Sequence, residues 1–177
     1  MSDAPESAAA RVPLRPEVEA RLREILAEVC DPEIPVLSVV DLGIIRSLTR
    51  GADDCIRVGV SPTYSGCPAT DVIKRSIARA LCAAGFAGAS CVDEFSPPWS
   101  SDCISEAGRC KLRDYGIAPP VNSVSSARAL LRPAAEIACP RCGSAQTTKL
   151  SEFGSTPCKA LYRCTSCLEP FDYFKCI

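Results

Sequence analysis

Apolar residues first recur with a clear period at Val18, Leu22, Ile25, Leu26 and Val29, which share one face of a helix opened by Pro16. Proline is tolerated in a first helical turn because the N–H it lacks has no partner there. Asp31-Pro32 ends the helix, since proline disfavours helical backbone in the residue before it. Glu33 to Asp41 reads as an extended loop, and Leu42-Gly43 as a turn into a strand over Ile44 to Thr49. Gly51 to Asp54 is a hairpin turn, and Ile56, Val58 and Val60 alternate with polar or small residues as in a half-buried strand. After a loop from Ser61 to Pro68, Thr70 or Asp71 caps a second helix. Its apolar face is Val72, Ile73, Ile77, Ala80 and Leu81, and Gly85 ends it. A third strand, Ala89 to Phe95, closes at Pro97-Pro98, and a short charged helix spans Ser101 to Tyr115 up to Gly116.

Helix, hairpin, helix and strand in this order predict a small α+β domain of αββαβ type, with its helices on one face of a sheet. The 177 residues suffice for such a domain and one small module. The expected organisation is a disordered leader over 1–15, the α+β domain over 16–120, a serine-containing linker over 121–135 and a cysteine-rich β module over 136–177.

Charge narrows the function classes. A formal net charge of -1 and a pI of about 5.6, with acids and bases interspersed, give no basic footprint for nucleic acid. No run of roughly 18 apolar residues is available to span a membrane. The N-terminus lacks the charged start and apolar core of a secretory signal. A cytoplasmic protein is expected. Histidine is absent, which removes Ser-His and Cys-His catalysis and every His-containing metal site. The 13 cysteines point, in a cytoplasmic chain, to metal or redox chemistry, and their odd number argues against a fully paired disulfide framework.

Two pairs stand out. Cys139-Pro-Arg-Cys142 and Cys164-Thr-Ser-Cys167 are separated by 21 residues and form C-x2-C…C-x2-C, which places two thiolates of each turn at adjacent corners of a tetrahedron. The predicted site is a closed four-sulfur zinc centre, structural because it leaves no open coordination position, in a ribbon with strands at Thr147 to Phe153, Lys159 to Tyr162 and Phe171 to Phe174. An iron–sulfur cluster is the rival occupant. Cys158 and Cys176 lie in the same module and are reserve ligands.

A further cysteine, Cys67, falls between a predicted strand and helix in Ser61-Pro-Thr-Tyr-Ser-Gly-Cys67-Pro. There, unpaired N–H groups and the helix dipole favour a thiolate. Asp41 could lie at the same end of the sheet, and such a site suits metal handling or thiol exchange. An inert cysteine bracing a tight turn is the competing reading. Cys30, Cys55, Cys82 and Cys91 read as small core residues. Cys103 and Cys110 fall seven apart on one predicted helix, and Trp99 reads as a packing anchor.

Asp31-Pro-Glu33, Val39-Val-Asp41-Leu-Gly43, the Cys67 loop and Pro97-Pro-Trp99 together resemble the MIP18-like (DUF59) family, which is linked to iron–sulfur cluster assembly. The family's loop cysteine corresponds to Cys67 and its acidic Asp-Leu-Gly position to Asp41. Lys111 to Pro120, Ser151 to Cys164 and Glu169 to Cys176 resemble the D-subunit family (PaaD, PaaJ) of bacterial phenylacetyl-CoA epoxidase systems. That resemblance implies an accessory component of a ring-epoxidising oxygenase in aerobic phenylacetate catabolism. It would act in iron–sulfur assembly or maturation of the other components, especially the 2Fe–2S reductase, or serve as a non-catalytic scaffold among them. The implied groups are a structural Zn2+, a transient Fe–S cluster and a cluster- or iron-binding Cys67 with Asp41, with a homodimer sharing a cluster as one arrangement. Intrinsic enzymatic activity is not expected: di-iron sites of this type need Glu-x-x-His motifs, and no dinucleotide fingerprint is present.

Overall fold

The computed structural model describes residues 12–64, 66–67, 69–121 and 136–176. Most of the leader and most of the predicted linker lie outside them. In chain order the elements are β1 (Val12–Pro13), α1 (Pro16–Ala27), β2 (Ile45–Arg50), β3 (Ile56–Val60), α2 (Ala69–Ala83) and β4 (Ser90–Asp93). Then follow a 3-10 turn (Ser101–Cys103), α3 (Glu106–Tyr115), β5 (Ile117–Ala118), β6 (Thr147–Ser151), β7 (Lys159–Cys164) and β8 (Pro170–Phe174).

The first sheet has the order β1-β2-β3-β4. β2 and β3 form the predicted hairpin, and α2 carries the chain from β3 to the parallel neighbour β4. α1 packs against α2. Leu22 and Leu26 of α1, Ile73, Ile77 and Leu81 of α2, and Val58 and Val60 of β3 are all buried in one core. Each such side chain contributes about 1.5–3 kcal/mol on removal from water.

Four sequence expectations change. Val12 and Pro13, assigned to the disordered leader, pair with Arg50 and Thr49 because the outer edge of β2 is open to them. The segment after α1 is coiled rather than extended. The Asp31 carboxylate accepts the backbone N–H groups of Glu33 (2.7 Å) and Ile34 (2.9 Å), turning the chain so that Ile34, Leu37 and Val39 enter the core. The third helix begins only at Glu106: Ile104 is extended, and the Ser105 hydroxyl accepts the Gly108 N–H as an N-cap. Cys103 and Cys110 therefore do not share a helix. Finally, β5, placed at the end of the first domain, is the edge strand of the second sheet, whose order is β5-β8-β7-β6. Gly116, left-handed at φ 91°, ends α3 and reverses the chain onto β8.

The ribbon and the α+β unit share side chains. Phe171 and Tyr173 face the ribbon's own small core, whereas Phe174, on the other face of β8, enters the core of the first domain. There it meets Trp99 at a ring-centroid distance of 6.3 Å. Trp99 is itself fixed by donating its indole N–H to the Leu42 carbonyl at 2.8 Å. Removing so large a buried side chain is expected to cost about 3–5 kcal/mol. Phe174→Ala should therefore lower the denaturation midpoint and make the two units unfold separately, read as two transitions in far-ultraviolet circular dichroism where the wild type shows one.

Candidate functional site

The cysteine pairs of the ribbon converge. The sulfur atoms of Cys139, Cys142, Cys164 and Cys167 all lie within 4.8 Å of one another, with Cys139 to Cys167 at 3.8 Å and Cys142 to Cys164 at 3.6 Å. A tetrahedron of sulfurs about 2.3 Å from a central ion has edges of roughly 3.8 Å, so the arrangement fits a metal. Each knuckle is a tight turn. The Gly143 N–H returns to the Cys139 carbonyl at 2.9 Å, and the Cys167 N–H points at the Cys164 sulfur at 3.4 Å. The residue after each second cysteine is left-handed: Gly143 at φ 74° and Leu168 at φ 64°. Ser144 and Ser166 join the knuckles by a 2.8 Å hydrogen bond, and Arg141 pairs with Glu169 at 2.9 Å.

Cys164 and Cys142 are pulled in opposite directions. The N–H of Cys167, then other local donors, pulls Cys164 down to about 6. Cys142 rises to about 12: the Ser144 N–H, its largest single influence, lowers it, but the neighbouring thiols of Cys167, Cys164 and Cys139 outweigh that donor. Four thiolates this close require a cation among them. Cys158 and Cys176 stand outside the cluster. Cys158 is buried against Thr156 (3.0 Å), and Cys176 bonds the Val121 carbonyl (2.9 Å) and the Tyr173 hydroxyl (3.2 Å).

Cys67 lies immediately before α2, its carbonyl accepting the Thr70 N–H at 3.2 Å. It is half-buried and lines a cavity of about 10 Å3 with Asp31, Ser61, Thr63 and Thr70. That is room for one water-sized particle. Ser61 is 1 % exposed. The buried Tyr64 hydroxyl has no hydrogen-bond partner among the described residues. Burial first, and then the Cys67 thiol, pushes its pKa up to about 12.

Asp41 does not line this cavity. Its carboxylate is instead a knot that ties the first loop to α3. Oδ2 accepts the Ser38 hydroxyl at 2.8 Å, the Ser38 N–H at 3.1 Å and Lys111 Nζ at 2.7 Å, while the Ser105 hydroxyl reaches Oδ1 at 3.3 Å. Burial alone would raise its pKa, but Lys111 and Ser38 together hold it below the usual 3.8. The carboxylate that does share the cavity with Cys67 is Asp31, read from the sequence only as a helix stop. Its place in the Asp31-Pro-Glu33 motif was the available signal. Of the cysteines read as core residues, Cys30 and Cys82 are exposed and Cys55 and Cys91 are half-buried.

An α+β unit whose loop cysteine precedes a helix is joined to a β module whose four cysteines can hold a metal ion. Residues 19–85 match the family model described as iron-sulfur cluster assembly protein, and residues 123–175 the PaaD zinc beta ribbon domain. The chain is 49% identical over 153 residues, 86% of its own length and 90% of the relative's, to an Escherichia coli protein provisionally named as the D component of 1,2-phenylacetyl-CoA epoxidase. It therefore belongs to the family of phenylacetyl-CoA epoxidase D subunits. It is also 34% identical to an Fe-S protein maturation auxiliary factor of Porphyromonas gingivalis, over 54% of this chain and 91% of that one. An iron-sulfur cluster carrier protein of Mycobacterium bovis is 31% identical over 55% of this chain and 23% of its own. The fold of the first domain is shared with a DUF59 crystal structure from Bacillus anthracis, at TM-score 0.50 and 23% identity, covering 54% of this chain and 92% of that one. No helix among the described residues is long and apolar enough to cross a membrane.

The Asp41 knot makes a pH-dependent contribution. A carboxylate whose folded pKa is depressed stabilises the fold at pH above its unfolded value, and that stability is lost as pH falls through the folded value. Asp41→Asn should cost about 2 kcal/mol at neutral pH, the scale of hydrogen bonds to a charged group. It should also flatten the loss of stability that the wild type shows on acidification below the usual 3.8. Urea melts of both proteins across this pH range check it.

Proposed function

We propose that this chain is a maturation accessory of the phenylacetyl-CoA ring-epoxidising system, in which Cys67 takes up iron or an iron–sulfur cluster and passes it to a client component. The carrying observation is the half-buried Cys67 at the start of α2, lining a small cavity with Asp31 in a unit that matches the iron–sulfur assembly family. The names of its relatives, a maturation auxiliary factor and a cluster carrier, support the same role. With no histidine in the chain, thiolate and oxygen donors must do this work. The preferred client is the 2Fe–2S reductase of the system, because it carries the kind of centre such a protein would mature.

The ribbon holds a structural Zn2+ on Cys139, Cys142, Cys164 and Cys167. The closed thiolate set, and the match to a zinc beta ribbon model, support zinc in a fold-forming role. A bound zinc would supply folding free energy, about 10–16 kcal/mol in zinc-finger peptides, to a module with a small core of its own. Its task is then to present β8 and β5 to the first domain rather than to do chemistry.

Two outcomes follow. Purified protein should contain one zinc per chain, and Cys164→Ser should lose both the metal and the ribbon's ordered amide signals in NMR; brown, iron-filled and zinc-free protein would overturn the zinc assignment. In cells deleted for this protein, the reductase should be isolated without its cluster and be restored by wild type but not by Cys67→Ala. Reductase with a full cluster, together with stable co-elution of this chain with oxygenase and reductase, would favour a scaffold role instead.

A further inference from the structure

Three features of the Cys67 cavity bear on what it carries. The first is size: about 10 Å3 has room for one ion or water. The second is charge. Asp31 is 9 % exposed, and only its Oδ1 is used, by the N–H groups of Glu33 and Ile34. Oδ2 takes no hydrogen bond from the described residues, and the side chain lines the same cavity as the Cys67 thiol. A Cys67 thiolate and the Asp31 carboxylate together carry two negative charges, which match one divalent cation in a site too buried for uncompensated charge. The third is a hydroxyl at the cavity wall: Ser61 is 1 % exposed and lines the same cavity.

We infer that the cavity is a single-ion site for ferrous iron, held by the Cys67 thiolate, Asp31 Oδ2 and the Ser61 hydroxyl, and that the cargo enters as the ion rather than as a preformed cluster. This rests on the reading of Cys67 as the iron-handling thiol. Binding needs no oxidant or reductant: Fe2+ sheds waters, and the Cys67 thiol releases one proton to solvent as its sulfur binds the ion. The donor sets also sort the metals of the chain. Four thiolates at the ribbon suit zinc, whereas one sulfur with two oxygens is a harder set that leaves room for ferrous iron. Asp31 thereby has two tasks, Oδ1 shaping the loop and Oδ2 meeting the ion.

The test uses the full chain with its ribbon zinc-loaded, kept anaerobic and titrated with Fe2+. Wild type should bind one iron per chain in addition to zinc, and iron K-edge absorption should report a mixed sulfur and oxygen shell. Asp31→Asn, which keeps an Oδ1 acceptor for the loop, should weaken iron at least tenfold, and Ser61→Ala should weaken it less, both with zinc content unchanged. Loss of iron in Cys67→Ala but full affinity in Asp31→Asn and Ser61→Ala would overturn this inference and leave the function intact. Full affinity in Cys67→Ala would overturn the role of Cys67 itself. Should Asp31→Asn fail to fold, the wild-type spectrum still decides: an all-sulfur shell with a short iron–iron distance would replace the single ion by a cluster.

Discussion

The seam between the two units hangs on Phe174. This one side chain belongs to the ribbon's β8 yet is 1 % exposed within the core of the α+β domain, against Trp99. Everything on either side is arranged to deliver it. The four-thiol cluster fixes the β7–β8 turn through the Cys164 knuckle, β5 and β7 flank β8, and Trp99 is held in place by the Leu42 carbonyl. A module with so small a core of its own cannot bury enough apolar surface to fold by that means alone, so it borrows the core of its neighbour and adds a metal-sized cross-link.

The same economy shapes the thiol end of the first domain. The loop between α1 and β2 is coiled by two carboxylates that act at its two ends. Asp31 gathers the backbone just after the helix, and Asp41 ties the far end to Ser38, Ser105 and Lys111. Between them Ile34, Leu37 and Val39 are carried into the core. The tightness of the second end is visible at Gly43, left-handed at φ 66°, where a Cβ would collide with the Cys103 carbonyl. With the loop fixed in this way, Asp31 and Leu42 from its two ends line the cavity beside Cys67, whose polar groups are a thiol, a carboxylate and hydroxyls.

Sequence reasoning therefore succeeded and failed along a physical divide. α1, the β2–β3 hairpin, α2, β4 and the ribbon strands were legible because each is an amphipathic or alternating segment bounded by Pro, Gly or a cap, and the signal is local. The four ribbon cysteines were legible for a related reason: a C-x2-C turn builds half a tetrahedron by itself. The break at Ile104 was hidden because the N-cap Ser105 sits inside a run that looks helical throughout. Asp41 and Cys67 do stand on loops at one end of the sheet, but hydrogen bonds to Ser38, Ser105 and Lys111 take up Asp41, and Asp31 is the carboxylate that lines the cavity with the thiol.

What the sequence determined by itself is the set of elements, the four-thiol site, the exclusion of histidine chemistry and the family resemblance, since these depend on residue type and short spacing. What only the tertiary structure decided is partnership. β5 leaves the domain that precedes it in the chain to become an edge of the ribbon's sheet, Phe174 crosses into the other core, and Cys158 turns away from the metal-binding cluster into the seam. These outcomes follow from burial and from satisfying hydrogen bonds across distances of 50 residues or more, such as Trp99 to Leu42 and Cys176 to Val121. Local pattern carries no record of them, because the free energy that selects them is released only when both segments are already folded.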